Sequence, residues 1–101
     1  MVSIKYLTDS EVAATILDKL ARKNKWGAAH TSSDKIVRRI SRKIRGKGKR
    51  VRKVVKGLIK DGYVLKKITS YGLEISLNPH KSREITEIIE SLLNNFQVPK
   101  S

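Results

Sequence analysis

Basic side chains crowd the middle of this chain, and together they could bind phosphate groups. Residues 44–62 contain eight lysines or arginines in nineteen positions. Residues 35–67 contain fifteen of the chain's 23 basic residues and a single acidic one, Asp61. Lysines three or four apart on one helix repel each other by about 0.2–0.5 kcal/mol. Because such crowding is costly, the pattern favours a polyanion-binding surface over a solvated or membrane-associated face.

The composition of the chain agrees with this interpretation. Its 101 residues carry a net charge of +14 and have a pI near 10.4, while 39% of them are hydrophobic. This length and hydrophobic content predict one globular domain over residues 1–101, and the charge predicts a nucleic acid as the partner. We expect a cytoplasmic, nucleoid-associated protein without membrane contact, because no apolar stretch is long enough to span a bilayer.

Patterns for other chemistry are weak. The chain has no cysteine, and His30 and His80 lack the spacing of metal ligands. Glu84, Glu87 and Glu90 have the spacing of the solvent-exposed face of a helix. We therefore expect no enzyme activity, no metal, no cofactor and no small-molecule ligand.

Two segments with helical periodicity precede the basic stretch. Thr8 and Glu11 have the spacing of a capping box, and apolar residues then recur at helical intervals, which predicts a helix over about 9–23. After a turn and a very short extended segment, Ile36, Val37 and Ile40 predict a second helix over about 33–43.

The basic stretch itself predicts a third helix, over about 49–60. At about 100° per residue its apolar residues fall within one arc of about 140°, whereas Lys49, Lys53, Lys56 and Lys60 point away from that arc. Asp61 and Gly62 then end the helix, since glycine enters a left-handed cap without steric cost.

The pattern after Gly62 changes from a helical period to an alternating one. Residues 63–77 alternate on either side of a short turn, which predicts a β-hairpin in which Gly72 supplies a positive φ. Asn78 and Pro79 then begin a fourth helix over 79–96. The fold class is therefore α+β.

This order of elements, with the sequence "GKRVRKVVKGLIKDGYVLKK" entering "TSYGLEISL", resembles the winged helix-turn-helix DNA-binding domain. The segment "VVKGLIKDGYV" is similar to that family's helix end, glycine and strand start, and the chain looks like a small, basic archaeal member. The resemblance implies a third helix that enters the major groove of DNA and a hairpin that forms the wing.

The DNA-binding residues implied by the resemblance lie in three places. The third helix and the turn before it would contact bases and phosphates, the start of the second helix would hold phosphates, and the wing would touch the neighbouring groove or backbone. On the third helix and the turn before it they are Arg45, Lys47, Lys49, Arg50, Arg52, Lys53 and Lys56. At the start of the second helix they are Thr31, Ser32, Ser33 and Lys35, and on the wing they are Lys66, Lys67, Ser70 and Tyr71.

Three functional interpretations follow from these patterns. The first is a double-stranded-DNA-binding transcriptional regulator or chromatin-type protein. The alternatives are an RNA-binding or ribosome-associated winged-helix protein and a winged-helix module for protein interaction.

The apolar side of the fourth helix must also be covered. It could pack within its own domain or form a homodimer interface, through Ile85, Ile88, Ile89, Leu92, Leu93 and Phe96. Trp26 is more typical of a core residue than of a base-stacking one, whereas Tyr71 fits either an ordinary surface role or base stacking.

Overall fold

Four α-helices and a three-stranded antiparallel sheet form the described part of the chain, residues 8–43 and 48–96 of a computed structural model. The predicted order of elements is confirmed. In chain order the elements are α1 (Asp9–Arg22), β1 (Thr31–Ser32), α2 (Ser33–Lys43), α3 (Gly48–Lys60), β2 (Val64–Thr69), β3 (Gly72–Leu77), a 3₁₀ turn (Pro79–Lys81) and α4 (Ser82–Phe96).

Helix α1 has a defined cap at each end. Thr8 Oγ1 accepts a hydrogen bond from Glu11 N at 3.2 Å, and Thr8 N donates to Glu11 Oε1 at 2.9 Å. At the other end Asn24 has a φ of 56°, and Lys25 N donates back to Leu20 O at 2.9 Å. This is a Schellman cap, in which asparagine takes the position that glycine usually fills.

Helix α3 ends in the same motif. Gly62 has a φ of 84°, Gly62 N donates to Ile59 O at 3.1 Å, and Tyr63 N donates to Leu58 O at 3.0 Å. The cap turns the chain directly into β2, so the position of the hairpin is tied to the end of the helix.

The hairpin of β2 and β3 joins β1 in one sheet, with β2 as the edge strand farther from β1. Strand β3 lies in the centre, paired with β2 from Val64–Leu77 to Thr69–Gly72 and with β1 through Thr31 and Ile75. Gly72 has a φ of 115°, as its place beside a two-residue turn predicts.

The core lies between the helices and the inner face of the sheet. Helix α1 packs against α2, α3, α4 and β3, and Trp26 packs against the core as predicted. The fully buried large side chains are Val12, Ile16, Leu17, Leu20, Ile36, Val51, Ile75, Leu77 and Ile85, with Val37 and Val64 nearly so.

The fourth helix begins later than the predicted Pro79. Asn78 Oδ1 accepts a hydrogen bond from His80 N at 3.0 Å, and residues 79–81 form a 3₁₀ turn before α4 starts at Ser82. Asn78 and Pro79 therefore begin a tighter 3₁₀ turn, which then continues into the α-helix. Within the described ranges no helix is long and apolar enough to cross a membrane.

Candidate nucleic-acid interface

Helix α3 has one face in the core and one face of cations in solvent. Val51, Val55 and Leu58 are buried, and the first turn of the helix contains no acidic residue. The exposed cations follow each other along the outer face, and they are Lys49, Arg52, Lys53, Lys56 and Lys60. We call these five residues the α3 patch. Because the buried valines fix the rotation of the helix, the cations project from a defined surface.

Arg50 is oriented differently from the rest of the predicted DNA-binding set. Its Nε donates to Asp9 Oδ1 at 2.8 Å, across 41 residues of sequence. The guanidinium therefore ties the start of α3 to the start of α1. This contact gives Arg50 a partner on α1, which its position on the flank of the helix did not indicate.

The start of α2 supplies fewer exposed groups than the sequence suggested. Ser32 Oγ accepts a hydrogen bond from Lys35 N at 3.3 Å and so caps the helix. Ser33 is buried and Thr31 is half-buried in β1. Lys35 is exposed, so it is the residue of this group with a side chain fully available to a phosphate.

The start of α2, the middle of α3 and the hairpin meet around one shallow depression. It has a volume of about 140 Å³ and is lined by Ser33 and Asp34 from α2, by Arg52 and Lys56 from α3, and by Leu73 from the hairpin. The fold thus brings all three predicted contact regions to one surface. Asp34 places a carboxylate at its edge, beside the cations.

The two hairpin lysines lie on opposite faces of the sheet. Lys66 is paired with Ile75 and lies on the face that points toward α3. Lys67 is paired with Glu74 and lies on the outer face. Ser70 and Tyr71 form the exposed turn. Of these two lysines, Lys66 therefore lies beside the α3 patch, where it lines a groove between the hairpin and α3 together with Lys56 and Lys60.

A second group of cations lies where the end of α1 approaches α2. The charge of Arg39 lowers the pKa of Lys23 below its usual range, and partial desolvation and the charges of Lys19, Lys25 and Lys35 lower it further. Sequence patterns did not single out Lys23 or Arg39, because the two residues belong to different helices. Their proximity extends the positive surface from α2 toward α1.

Some predicted residues have other surroundings or fall outside the description. Arg45 and Lys47 lie outside the described residues.

In α4, which packs against α1, Ile85 and Leu92 are buried and Ile88 and Ile89 are half-buried against the core. The side chains of Leu93 and Phe96 are also outside the description. Intramolecular packing thus covers the start of the apolar face, and the homodimer stays a prediction.

Gly57 interrupts α3 without a packing reason in the described part of the chain. A Cβ built on it would meet no atom within 4 Å. We expect Gly57→Ala to raise the free energy of unfolding by about 0.5–1 kcal/mol, because alanine is the better helix former. Urea unfolding measures this change. A destabilised Gly57→Ala would contradict the open surroundings seen here, and weaker nucleic-acid binding by the more stable variant would indicate a close approach of the ligand.

Comparisons with protein families, with curated proteins and with solved structures gave no match for this chain. The candidate interface therefore depends on the geometry described above. Among the described residues, no group of three histidine or acidic side chains could hold a metal ion.

Proposed function

We propose that this chain is a winged-helix protein that binds double-stranded DNA, with α3 in the major groove and the hairpin as the wing. The observation that carries the proposal is the α3 patch, five exposed cations on the outer face of a helix whose inner face is buried. The layout of helix, strand, helix, helix and hairpin is compatible with a winged helix.

The chemistry of the patch fits phosphates and guanine edges. Lysine and arginine donate to phosphate oxygens, and in the major groove they donate to guanine O6 and N7. Lys35 on α2 and Lys66 on β2 are exposed on the elements next to the patch, so they would add phosphate contacts beside α3. A transcriptional regulator or a chromatin-type protein would both use this surface.

Binding of a short fluorescent duplex at two salt concentrations tests the proposal. With six to ten phosphate contacts, affinity should fall by about 10³- to 10⁵-fold between 50 and 200 mM salt, because each neutralised phosphate releases counterions. Binding that does not change with salt, or no binding at all, would contradict the proposal.

A structured RNA of the same length is the matched competitor in this assay. Preferential binding of the RNA at equal salt would favour the RNA-binding alternative, because an A-form helix has a narrow major groove that α3 could not enter.

A further inference from the structure

The exposed large hydrophobic residues of the described chain all lie on one hairpin. Ile68 is 79% exposed, Tyr71 is 95% exposed, and Leu65 and Leu73 are each 37% exposed. Single exposed apolar residues are common on protein surfaces, but these four lie within the nine positions 65–73. Leu65 lies on the opposite face from Ile68 and Leu73, so we call Ile68, Tyr71 and Leu73, at the turn end of the hairpin, the apolar surface. This surface directly follows the basic residues 35–67 in the sequence.

Two of these residues, Ile68 and Leu73, line a groove between the hairpin and α3. Ile68 pairs with Leu73, on the same face as the buried Val64 and Ile75 but nearer the turn. The groove has a volume of about 680 Å³, and its lining includes Ile59, Ile68 and Leu73 together with Lys56, Lys60 and Lys66. The lining therefore combines three apolar side chains with three cations, and Tyr71 lies in the turn directly before the lining residue Gly72.

The tip that carries Tyr71 is held by local hydrogen bonds. Thr69 Oγ1 donates to Gly72 O at 3.0 Å and accepts from Tyr71 N at 3.1 Å. Strand pairing continues up to Thr69 and Gly72, so the turn contains only two residues. Because this turn is ordered before any ligand binds, little backbone entropy is lost when Tyr71 makes a contact.

The occupant of such a groove must combine apolar faces with negative charge. Unstacked nucleotides have this combination, since each base exposes a flat π-face and each linkage carries a phosphate. In a continuous duplex the base faces are stacked on each other and cannot reach Ile68 or Tyr71. Other nucleic-acid-binding proteins insert aromatic or aliphatic side chains between bases at unstacked positions.

We propose that the groove and the hairpin tip bind unstacked nucleotides, so that the protein prefers a duplex containing unpaired bases to a continuous duplex of equal length. This inference rests on the proposed nucleic-acid binding and specifies which form of nucleic acid is bound most tightly. The α3 patch contributes phosphate contacts to both ligands, whereas the apolar surface contributes only where bases are exposed.

The test compares two fluorescent duplexes that differ in a central pair of mismatches and have the same number of phosphates. We expect the wild-type protein to bind the mismatched duplex at least about fivefold more tightly, since stacking of one base on an aromatic side chain is worth this much. Tyr71→Ala and Leu73→Ala should each lose the preference, which is the ratio of one variant's affinities for the two duplexes, so that a loss of phosphate or groove contacts common to both duplexes cancels.

Two matched variants serve as controls. Leu65→Ala removes a leucine with the same exposure as Leu73 from the opposite face of the hairpin, and it should keep the preference. Tyr71→Phe retains the ring and should also keep it. The altered side chains are exposed, and thermal unfolding of each variant confirms that the fold is intact.

The outcomes separate this inference from the proposed function. Equal affinity of the wild-type protein for both duplexes, or a preference that persists in Tyr71→Ala and Leu73→Ala, would overturn the inference and leave nucleic-acid binding in place. No binding of either duplex would overturn both. If the wild-type protein shows no mismatch preference, its binding of an alternating Glu-Leu peptide is measured next. Peptide binding that is lost in Leu73→Ala would assign the groove to an acidic protein segment and overturn the inference.

Discussion

Replacement of Lys49, Lys53 and Lys56 by alanine is expected to weaken duplex binding by about 10²- to 10³-fold at 0.1 M salt. Because each phosphate contact releases counterions, it makes the affinity at 0.1 M salt roughly 0.9 log units higher than the affinity at 1 M salt. All three side chains are exposed on the outer face of α3. Fluorescence anisotropy with one duplex at fixed salt measures the loss.

Arg83→Glu is the charge control for this variant. Arg83 is exposed on α4, which packs against α1, and the substitution lowers the net charge by two. Long-range effects of charge are screened over about 10 Å at this salt concentration, so we expect less than about a threefold change. A comparable loss in both variants would show that total charge, and not the α3 patch, governs binding.

The second large effect concerns the stability of the hairpin. Ile75→Ala should lower the free energy of unfolding by about 2–5 kcal/mol, because it leaves a cavity in the core. Ile75 is 0% exposed and pairs with both Thr31 and Lys66, so it joins the central strand to its two neighbours. Urea unfolding followed by circular dichroism measures the change.

Ile68→Ala is the matched control for Ile75→Ala. It makes the same chemical change on the same face of the same hairpin, at a residue that is 79% exposed. We expect it to cost less than about 1 kcal/mol, mostly through the lower strand preference of alanine. Similar losses at the two positions would contradict the burial pattern described here.

Local patterns in the sequence predicted most of the secondary structure. The capping box at Thr8, the glycine stop at Gly62 and the positive φ at Gly72 are each determined by neighbouring residues. The buried arc of α3 also follows from its helical period, which is why its exposed cations could be named in advance.

Contacts between distant segments could not be predicted in the same way. The Arg50–Asp9 ion pair spans 41 residues, and the approach of Arg39 to Lys23 depends on how α1 packs on α2. The burial of Ser33 depends on how β1 joins the sheet. These features arise from tertiary packing, about which the periodicity of a single segment carries no information.

The apolar groove is the clearest example of this limit. The alternating pattern of the hairpin indicated which residues share a face, but it did not indicate where the core ends along that face. Val64 and Ile75 are buried, whereas Ile68 and Leu73 on the same face are exposed. The difference arises because the hairpin extends beyond the helices that cover its base.

The slope of log affinity against log salt concentration, for the wild-type protein and the Lys49, Lys53 and Lys56 alanine variant on one duplex, tests the central claim most directly. If the α3 patch contacts phosphates, the wild-type slope should be about −5 to −9, and the variant's slope should be shallower by about 3. Equal slopes for the two proteins would contradict the assignment of phosphate contacts to α3.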